Sequence, residues 1–309
     1  MTALATYEAI AREVFEPREI LSPSAWAERH YRVTTGDFRG PFSLDRTPYL
    51  RGLLDAIADP SVRVVAVKKG SQVGGTLALR AALFWWVDSV GGTCMYVLPK
   101  DDAAGEQCKL RILPAVEACD PIRARIITGK GESASKLLRF SPATDIVFRG
   151  AMTERNLESL DADLVYVDEV DRCPPRTCHL AKQRGKTLAQ SKVVLCGKPG
   201  LAGEGVDREY DLSDRRRYLV PCPACGVYHE RTFARVRWHG RNREGEIGWD
   251  SRDLTSPAQV VRETACLRCP NLACRARIGP DANLWQLGLG VWAARVTRRC
   301  ANRLPHVPF

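Results

Sequence analysis

A run of β-branched residues, Val62, Val64, Val65 and Val67, leads directly into Lys68-Lys69-Gly70-Ser71-Gln72-Val73-Gly74-Gly75-Thr76, and an apolar stretch of helical character follows to Val90. A strand, a glycine-bearing turn and a helix in immediate succession leave few choices of fold. A strand that feeds a helix through so short a turn packs that helix on the face of its own sheet. The alternation continues downstream. Thr93–Leu98 reads as a second strand closed by Pro99, and a helix is expected from Asp101, a suitable N-cap, to about Cys119, with Pro114 breaking or kinking it. Asp145–Phe148, Asp163–Asp168 and Lys192–Cys196 read as further strands, with a helix near 176–190. Units alternating in this way predict an α/β domain with a mainly parallel sheet flanked by helices.

The turn after the first strand has its own chemistry. Backbone N–H groups and the positive end of the following helix converge there on a concavity suited to phosphate. Glycines let the backbone close on the phosphate oxygens. The usual pattern, G-x-x-x-x-G-K-[ST], puts lysine before the Ser/Thr; here that position is Gly75, so Lys69 at the head of the turn is left to reach the phosphates. Thr76, opening the helix, is placed to ligate Mg²⁺. Alone, the turn reads equally well as a glycine-rich connection without a ligand. Leu164-Val-Tyr-Val167-Asp168-Glu169 shifts that balance, because an apolar strand delivers two carboxylates at its C-terminal end, where open α/β sheets bind ligands. Asp168 is expected to hold Mg²⁺, and Glu169 to orient and deprotonate an attacking water. The pair of motifs predicts a P-loop NTPase fold and ATP hydrolysis. Arg149 and Arg172 are candidates for stabilising the transferring phosphate. Tyr49 is a candidate for stacking on adenine, although an aromatic residue ahead of such a turn also suits a core.

Charge and cysteine content divide the chain. Its 309 residues carry 46 Lys and Arg against 36 Asp and Glu, a net charge of +10. Arg215, Arg216, Arg217, Arg231, Arg235, Arg237, Arg241 and Arg243 crowd the second half. Such a stripe favours a polyanion partner such as DNA, or forms a solvated basic face. No stretch reaches the roughly 18 uninterrupted apolar residues of a membrane span: Leu77–Val90 is interrupted by Arg80 and Asp88. The N-terminus carries acids and has no secretory pattern, so a soluble intracellular protein is expected. Of 12 cysteines, Cys94, Cys108, Cys119, Cys173, Cys178, Cys196 and Cys300 are scattered, as small buried hydrophobes would be. The rest cluster. Cys222-Pro-Ala-Cys225-Gly226 is a knuckle, and a second pair is either Cys266 with Cys269 or Cys269 with Cys274. Cys-Pro-Asn-x-x-Cys, recurrent in zinc ribbons, favours Cys269 and Cys274, with Cys266 as competing ligand. Four thiolates fit a structural Zn²⁺; a knuckle without metal is the plainer alternative. The expected organisation is an N-terminal helical segment 1–55, an ATPase core 56–212, a small Cys-rich, zinc-ribbon-like module 213–295, and an atypical tail 296–309.

The turn Lys69–Thr76, lysine first with Gln72-Val73-Gly74 inside, resembles the deviant phosphate loop of lambda-like phage terminase large subunits (the gpA family). Asp168-Glu169-Val170-Asp171 is similar to that family's Asp-Glu-Val-Asp turn. Ser24-Ala-Trp26-Ala-Glu28 and Thr47-Pro48-Tyr49 resemble its N-terminal region, and Arg217-Tyr218-x-Val220-Pro221-Cys222-Pro223-x-Cys225-Gly226 its cysteine segment; Ile278 also falls at the family's spacing. The likeness covers about residues 20–295. It implies an ATP- and Mg²⁺-dependent motor, a homo-oligomer when working, in the cytoplasm of a bacterial host. Such motors pack double-stranded DNA into a procapsid together with a terminase small subunit and the portal. Two departures stand out: Gly75 replaces a frequent lysine, and Cys196-Gly197-Lys198-Pro199 lies where the family's coupling segment is Ser/Thr-rich. The family continues into a nuclease domain. Here Arg295–Phe309 resembles nothing expected at that place, as in a frameshifted or degraded prophage gene, so nuclease activity is not expected. The rival expectations are a helicase-like nucleic-acid ATPase, and an inactive prophage remnant that binds DNA or capsid without turnover.

Overall fold

The computed structural model describes residues 19–37, 39–127, 136–186, 188, 190–241, 246–251, 255–279 and 287–294. The tail 296–309, residues 1–18 of the expected N-terminal segment 1–55, Arg243 and Cys300 lie outside the described residues. The described chain opens with α1 (Pro23–His30), a short ribbon of β1 (Arg32–Val33) and β2 (Gly40–Pro41), and α2 (Tyr49–Ala58). The main sheet follows, from β3 (Val64–Lys68), β4 (Gly92–Leu98), β5 (Leu137–Phe140), β6 (Thr144–Gly150), β7 (Leu164–Val167) and β8 (Lys192–Gly197). Its order is β3-β8-β7-β4-β6-β5, parallel except that β5 runs antiparallel to β6 at one edge.

Successive side chains of a strand point to opposite faces, and both faces of this sheet are covered. Cys94, Tyr96, Leu98, Leu164, Tyr166, Val194 and Cys196 join one core with α1, α2 and α3 (Gly75–Ser89). Met95, Val97, Val165, Val167, Val193 and Leu195 join another, with Leu157 and Leu180. Two-sided burial is why β7 and β8 read as continuous apolar runs without alternation. The crossover α3 is buried around most of its circumference, including Leu83, Phe84, Trp85 and Trp86, and so shows little amphipathic stripe. Its polar Asp88 is satisfied by the Trp26 indole at 2.8 Å and the Arg125 guanidinium at 2.8 Å, which ties α1 to the far end of α3.

Four elements differ from the sequence expectation. The first strand begins at Val64 and lies at the sheet edge with Val64 exposed, because β8 is its sole partner strand. The helix expected over 101–119 is α4 (Asp101–Gln107), a π-helical turn Cys108–Ile112, and α5 (Leu113–Glu117), with a further turn α6 (Asp120–Arg123). Pro114 has no N–H for the Leu110 carbonyl and its ring crowds that group, so the preceding turn widens and the chain continues. The edge strand β5 was not foreseen. Beyond α7 (Glu154–Glu158), α8 (Thr177–Arg184) stops short of the expected 190, at Gly185, whose missing Cβ leaves room for Ser191. Then α9 (Gly205–Asp211) covers the β3 edge, where Lys68 pairs with Asp207 and lies 5.3 Å over the Tyr210 ring.

The remaining strands are β9 (Arg217–Pro221), β10 (Tyr228–Glu230), β11 (Val236–Arg241), β12 (Ile247–Ser251), β13 (Cys266–Arg268), β14 (Arg277–Ile278) and β15 (Val291–Ala293), with α10 (Ala258–Thr264) before β13. They form two small antiparallel sheets, β10-β9-β15 and β12-β11-β13-β14. Among the described residues no helix is long and apolar enough to cross a membrane.

Lys192, at the start of β8, is buried, and its ammonium donates to the carbonyls of Asp59 and Val62 in the connection from α2 to β3. Lys192→Met keeps the stem but leaves those carbonyls unpaired. It should lower the free energy of unfolding by about 1–3 kcal/mol. Urea denaturation with an unchanged midpoint would contradict this role.

Candidate nucleotide site and cysteine cluster

Because β3, β8 and β7 are parallel neighbours, the turns that leave them lie along one edge of the sheet. From β3 the chain enters the turn 69–74, held to β8 by the Lys69 N–H donating to Gly197 O at 3.1 Å. Gln72 and Gly74 both adopt left-handed conformations, φ 57° and 74°. Gly74 accommodates this freely and immediately precedes α3, whose first-turn N–H groups face the turn. Gly70, Ser71 and Gln72 are exposed, Val73 and Thr76 half-buried, and Gly75 buried.

Gly75 is the position where a usual phosphate loop carries its lysine. A Cβ there would lie 2.6 Å from Lys69 Cδ and 3.3 Å from Cε. The aliphatic stem of Lys69 thus lies across the bare backbone of Gly75, and a side chain at 75 and this path for Lys69 exclude one another. The neighbouring Lys68 is committed to Asp207 and Tyr210, so the two adjacent lysines are not equivalent.

From β7 the chain delivers Asp168, buried, and then Glu169, exposed and left-handed at φ 54°. Asp168 Oδ1 accepts from the Glu169 N–H at 3.0 Å, and Oδ2 accepts from the Tyr96 hydroxyl at 3.4 Å. Gln107, beside the π-helical turn, donates to the same hydroxyl at 3.2 Å. Burial, and then the Asp168 carboxylate, push the Tyr96 hydroxyl well above its ordinary pKa, so it stays a donor. Tyr96 and Gln107 were missed by the sequence reading; a tyrosine inside the buried run 93–98 was the available signal. The Cys196 thiol on β8 is pushed up by burial and by Asp168 and drawn down by Lys69. Arg172 pairs with Glu169 at 3.2 Å. Arg149 lies on β6, two strands from β7 in the sheet order. Tyr49 is half-buried, and its hydroxyl donates to Val73 O at 3.0 Å.

Asp171 closes the same edge. Its Oδ1 accepts from the Val206 N–H at 3.2 Å, while Oδ2 is buried without a partner among the described residues. Gly197 and Gly205 flank the carboxylate, and a Cβ at either would strike it. The acid turn is thereby keyed into both ends of the 197–205 connection.

In the smaller part of the chain, the sulfurs of Cys222, Cys225, Cys269 and Cys274 lie within 4.8 Å of one another. Cys222 and Cys274 are 4.0 Å apart, Cys225 and Cys269 3.7 Å. A tetrahedron of thiolates around zinc with Zn–S of about 2.3 Å has edges of about 3.8 Å, so the donor set fits that ion. Gly226, at φ 72°, turns the first knuckle. The Val227 backbone N–H is the main influence lowering the Cys225 thiol to about 7. Cys266 instead sits in β13 opposite Arg237 and outside the group. In the basic stripe, Arg215, Arg216 and Arg217 are paired with Asp211, Asp214 and Glu230.

A mostly parallel six-stranded sheet with a lysine-headed glycine turn and an acid pair on one edge is the architecture of an α/β ATPase domain. The sequence model described as "Phage terminase large subunit gpA, ATPase domain" matches residues 36–292, and the chain belongs to that family. It is 22% identical over 218 residues to the "Terminase, large subunit" of Enterobacteria phage P21, which covers 67% of this chain and 34% of that protein. The chain therefore spans about a third of the length of this curated relative. The crystal structure of the HK97 bacteriophage large terminase is similar in fold, with a TM-score of 0.50 at 12% identity, covering 61% of this chain and 39% of that one.

The key formed by Asp171 has a measurable consequence. Gly197→Ala should lower the free energy of unfolding by about 1–3 kcal/mol through overpacking. Asp171→Ala in the same chain should recover part of the loss, because touching residues are not additive. Strict additivity in a denaturation double-mutant cycle would exclude the contact.

Proposed function

We propose that this chain is an ATP-hydrolysing motor domain that drives double-stranded DNA into a phage procapsid. The observation that carries the reading is Lys69 laid over Gly75 at the head of α3, on the same sheet edge as Asp168 and Glu169. In this reading the backbone N–H groups of 70–76 and the N-terminus of α3 cradle the phosphates of ATP. Lys69 supplies the cation that the usual loop takes from the position of Gly75. Thr76 and Asp168 would hold Mg²⁺, which supplies charge neutralisation on the phosphates when bound. Tyr96 holds the Asp168 carboxylate in place. Glu169, carried outward by its left-handed backbone, orients the attacking water and takes its proton. Arg172, already paired with Glu169 at 3.2 Å, is the favoured one of the two arginine candidates. Tyr49 remains the candidate for adenine. Family membership supports partners of the terminase kind: DNA, a small subunit, the portal and further copies of the chain, in the host cytoplasm. The division into an ATPase core 56–212 and a Cys-rich module 213–295 belongs to the same proposal.

Steady-state ATP hydrolysis, with and without double-stranded DNA, tests the reading. The expected outcome is DNA-stimulated turnover that falls by about 100-fold or more in Lys69→Ala and Glu169→Gln. A folded wild type without turnover would leave a remnant that binds without hydrolysis.

The cysteine cluster is proposed to hold one structural Zn²⁺ through Cys222, Cys225, Cys269 and Cys274, crosslinking the two knuckles. Elemental analysis should find about one zinc per chain, lost in Cys274→Ser and kept in Cys266→Ser. Well under one equivalent in the wild type would sink the site.

A further inference from the structure

Two glycines outside the nucleotide turn are explained by aromatic rings that arrive from far along the chain. Gly52 lies inside α2, where alanine would make the better helix. A Cβ at Gly52 would lie 2.5 Å from Trp292 Cδ1 and 2.9 Å from Nε1. Gly290, just ahead of β15, is overlain in the same way by the Tyr218 ring. Trp292 on β15 and Tyr218 on β9 are register partners, with ring centroids 5.4 Å apart. The indole N–H of Trp292 donates to the Tyr49 carbonyl at 2.8 Å. The Tyr218 ring meets the Tyr49 ring edge-on at 5.9 Å, and its hydroxyl is fixed by Leu287 O at 2.6 Å. Tyr49 in turn donates to Val73 O at 3.0 Å, and Leu50 Cδ1 would stand 3.2 Å from a Cβ on Gly74. An unbroken series of contacts therefore runs from the three-stranded sheet beside the cysteine knuckle, through the first turn of α2, to the glycine turn.

We propose that the β10-β9-β15 sheet is a positioning element for the nucleotide reaction, acting through Trp292 and Tyr218 on Tyr49 and thence on the Val73-Gly74 backbone. The proposal rests on the ATP reading above. Trp292 seated on Gly52 holds the N-terminus of α2. Tyr49, gripped on its ring by Tyr218, sets where the Val73 carbonyl lies and so how the adjoining N–H groups face a phosphate. Contacts of this kind act in both directions: a nucleotide that orders the turn also orders the sheet.

Hydrogen exchange on the full chain, with and without magnesium and a non-hydrolysable ATP analogue, tests this beside steady-state kinetics. In the wild type the analogue should slow exchange both in 69–76 and in 217–220. In Gly52→Ala, which fills the Trp292 seat without harming the helix, slowing should persist in 69–76 and vanish in 217–220. The KM for ATP should then rise about five- to tenfold with little change in kcat. Trp292→Phe, which keeps a ring in the seat but removes the donor to Tyr49 O, should give a smaller shift in the same direction. Slowing in 217–220 that is absent from the wild type, or unaltered in both variants, would overturn the proposal and leave the ATP reading standing. No slowing in 69–76 of the wild type would overturn both.

Discussion

The parallel pairing of β3 with β8 and of β8 with β7 is the constraint on which the rest depends. It brings three turns far apart in the chain to a single edge: the glycine turn 69–74, the acid turn from Asp168, and the 197–205 connection. The pairing is held by burial on both faces, with α1, α2 and α3 on one side and α7 and α8 on the other. Shifting β8 by one residue would exchange its Val193/Leu195 and Val194/Cys196 faces between two unlike cores. The same slip would carry Gly197 away from both Lys69 N–H and Asp171. Sheet register and site geometry are therefore one property, enforced by apolar packing and read out by polar contacts.

What the sequence made legible was local. The glycine turn, the acid-ended strand and the first cysteine knuckle each depend on neighbours within a few residues, and the turn chemistry of such segments is written in glycine, lysine and carboxylate positions. Choosing Cys269 and Cys274 over Cys266 was already beyond spacing alone; the fold places Cys266 in a strand and brings the other two beside Cys222 and Cys225. The strand order was not legible, because β-branched runs do not say which run they pair with. The edge position of β3 follows from that order and not from its valines. The π-helical turn before Pro114 shows a further limit: proline predicts a disturbance, but only packing decides whether the helix breaks, bends or widens.

Charge is the second case where folding alters the reading of composition. The net charge of +10 suggests a free basic surface, yet Arg215, Arg216 and Arg217 pair with acids close by in sequence or strand, and Lys68 is absorbed by Asp207 and Tyr210. Exposed pairs of this sort contribute little to stability; their effect is on which cations stay available. At the glycine turn that selection matters most, since it leaves Lys69 rather than Lys68 directed across the helix start.

Glycine unites these observations in a way that propensity does not. Gly74 is required by its backbone, at φ 74°. Gly75, Gly197 and Gly52 are required by what lies on them: the stem of Lys69, the carboxylate of Asp171 and the indole of Trp292. In each pair a missing side chain on one segment is matched by a long one from another, so that neither residue is interpretable alone. Gly75 looks like a defect when compared with the usual loop and like a fitted surface when Lys69 is laid over it. The lysine-first arrangement is thus a pairwise solution. In this chain the cation stands at the head of the turn with its stem over an open backbone at the helix start, and a side chain at position 75 would require that stem to shift.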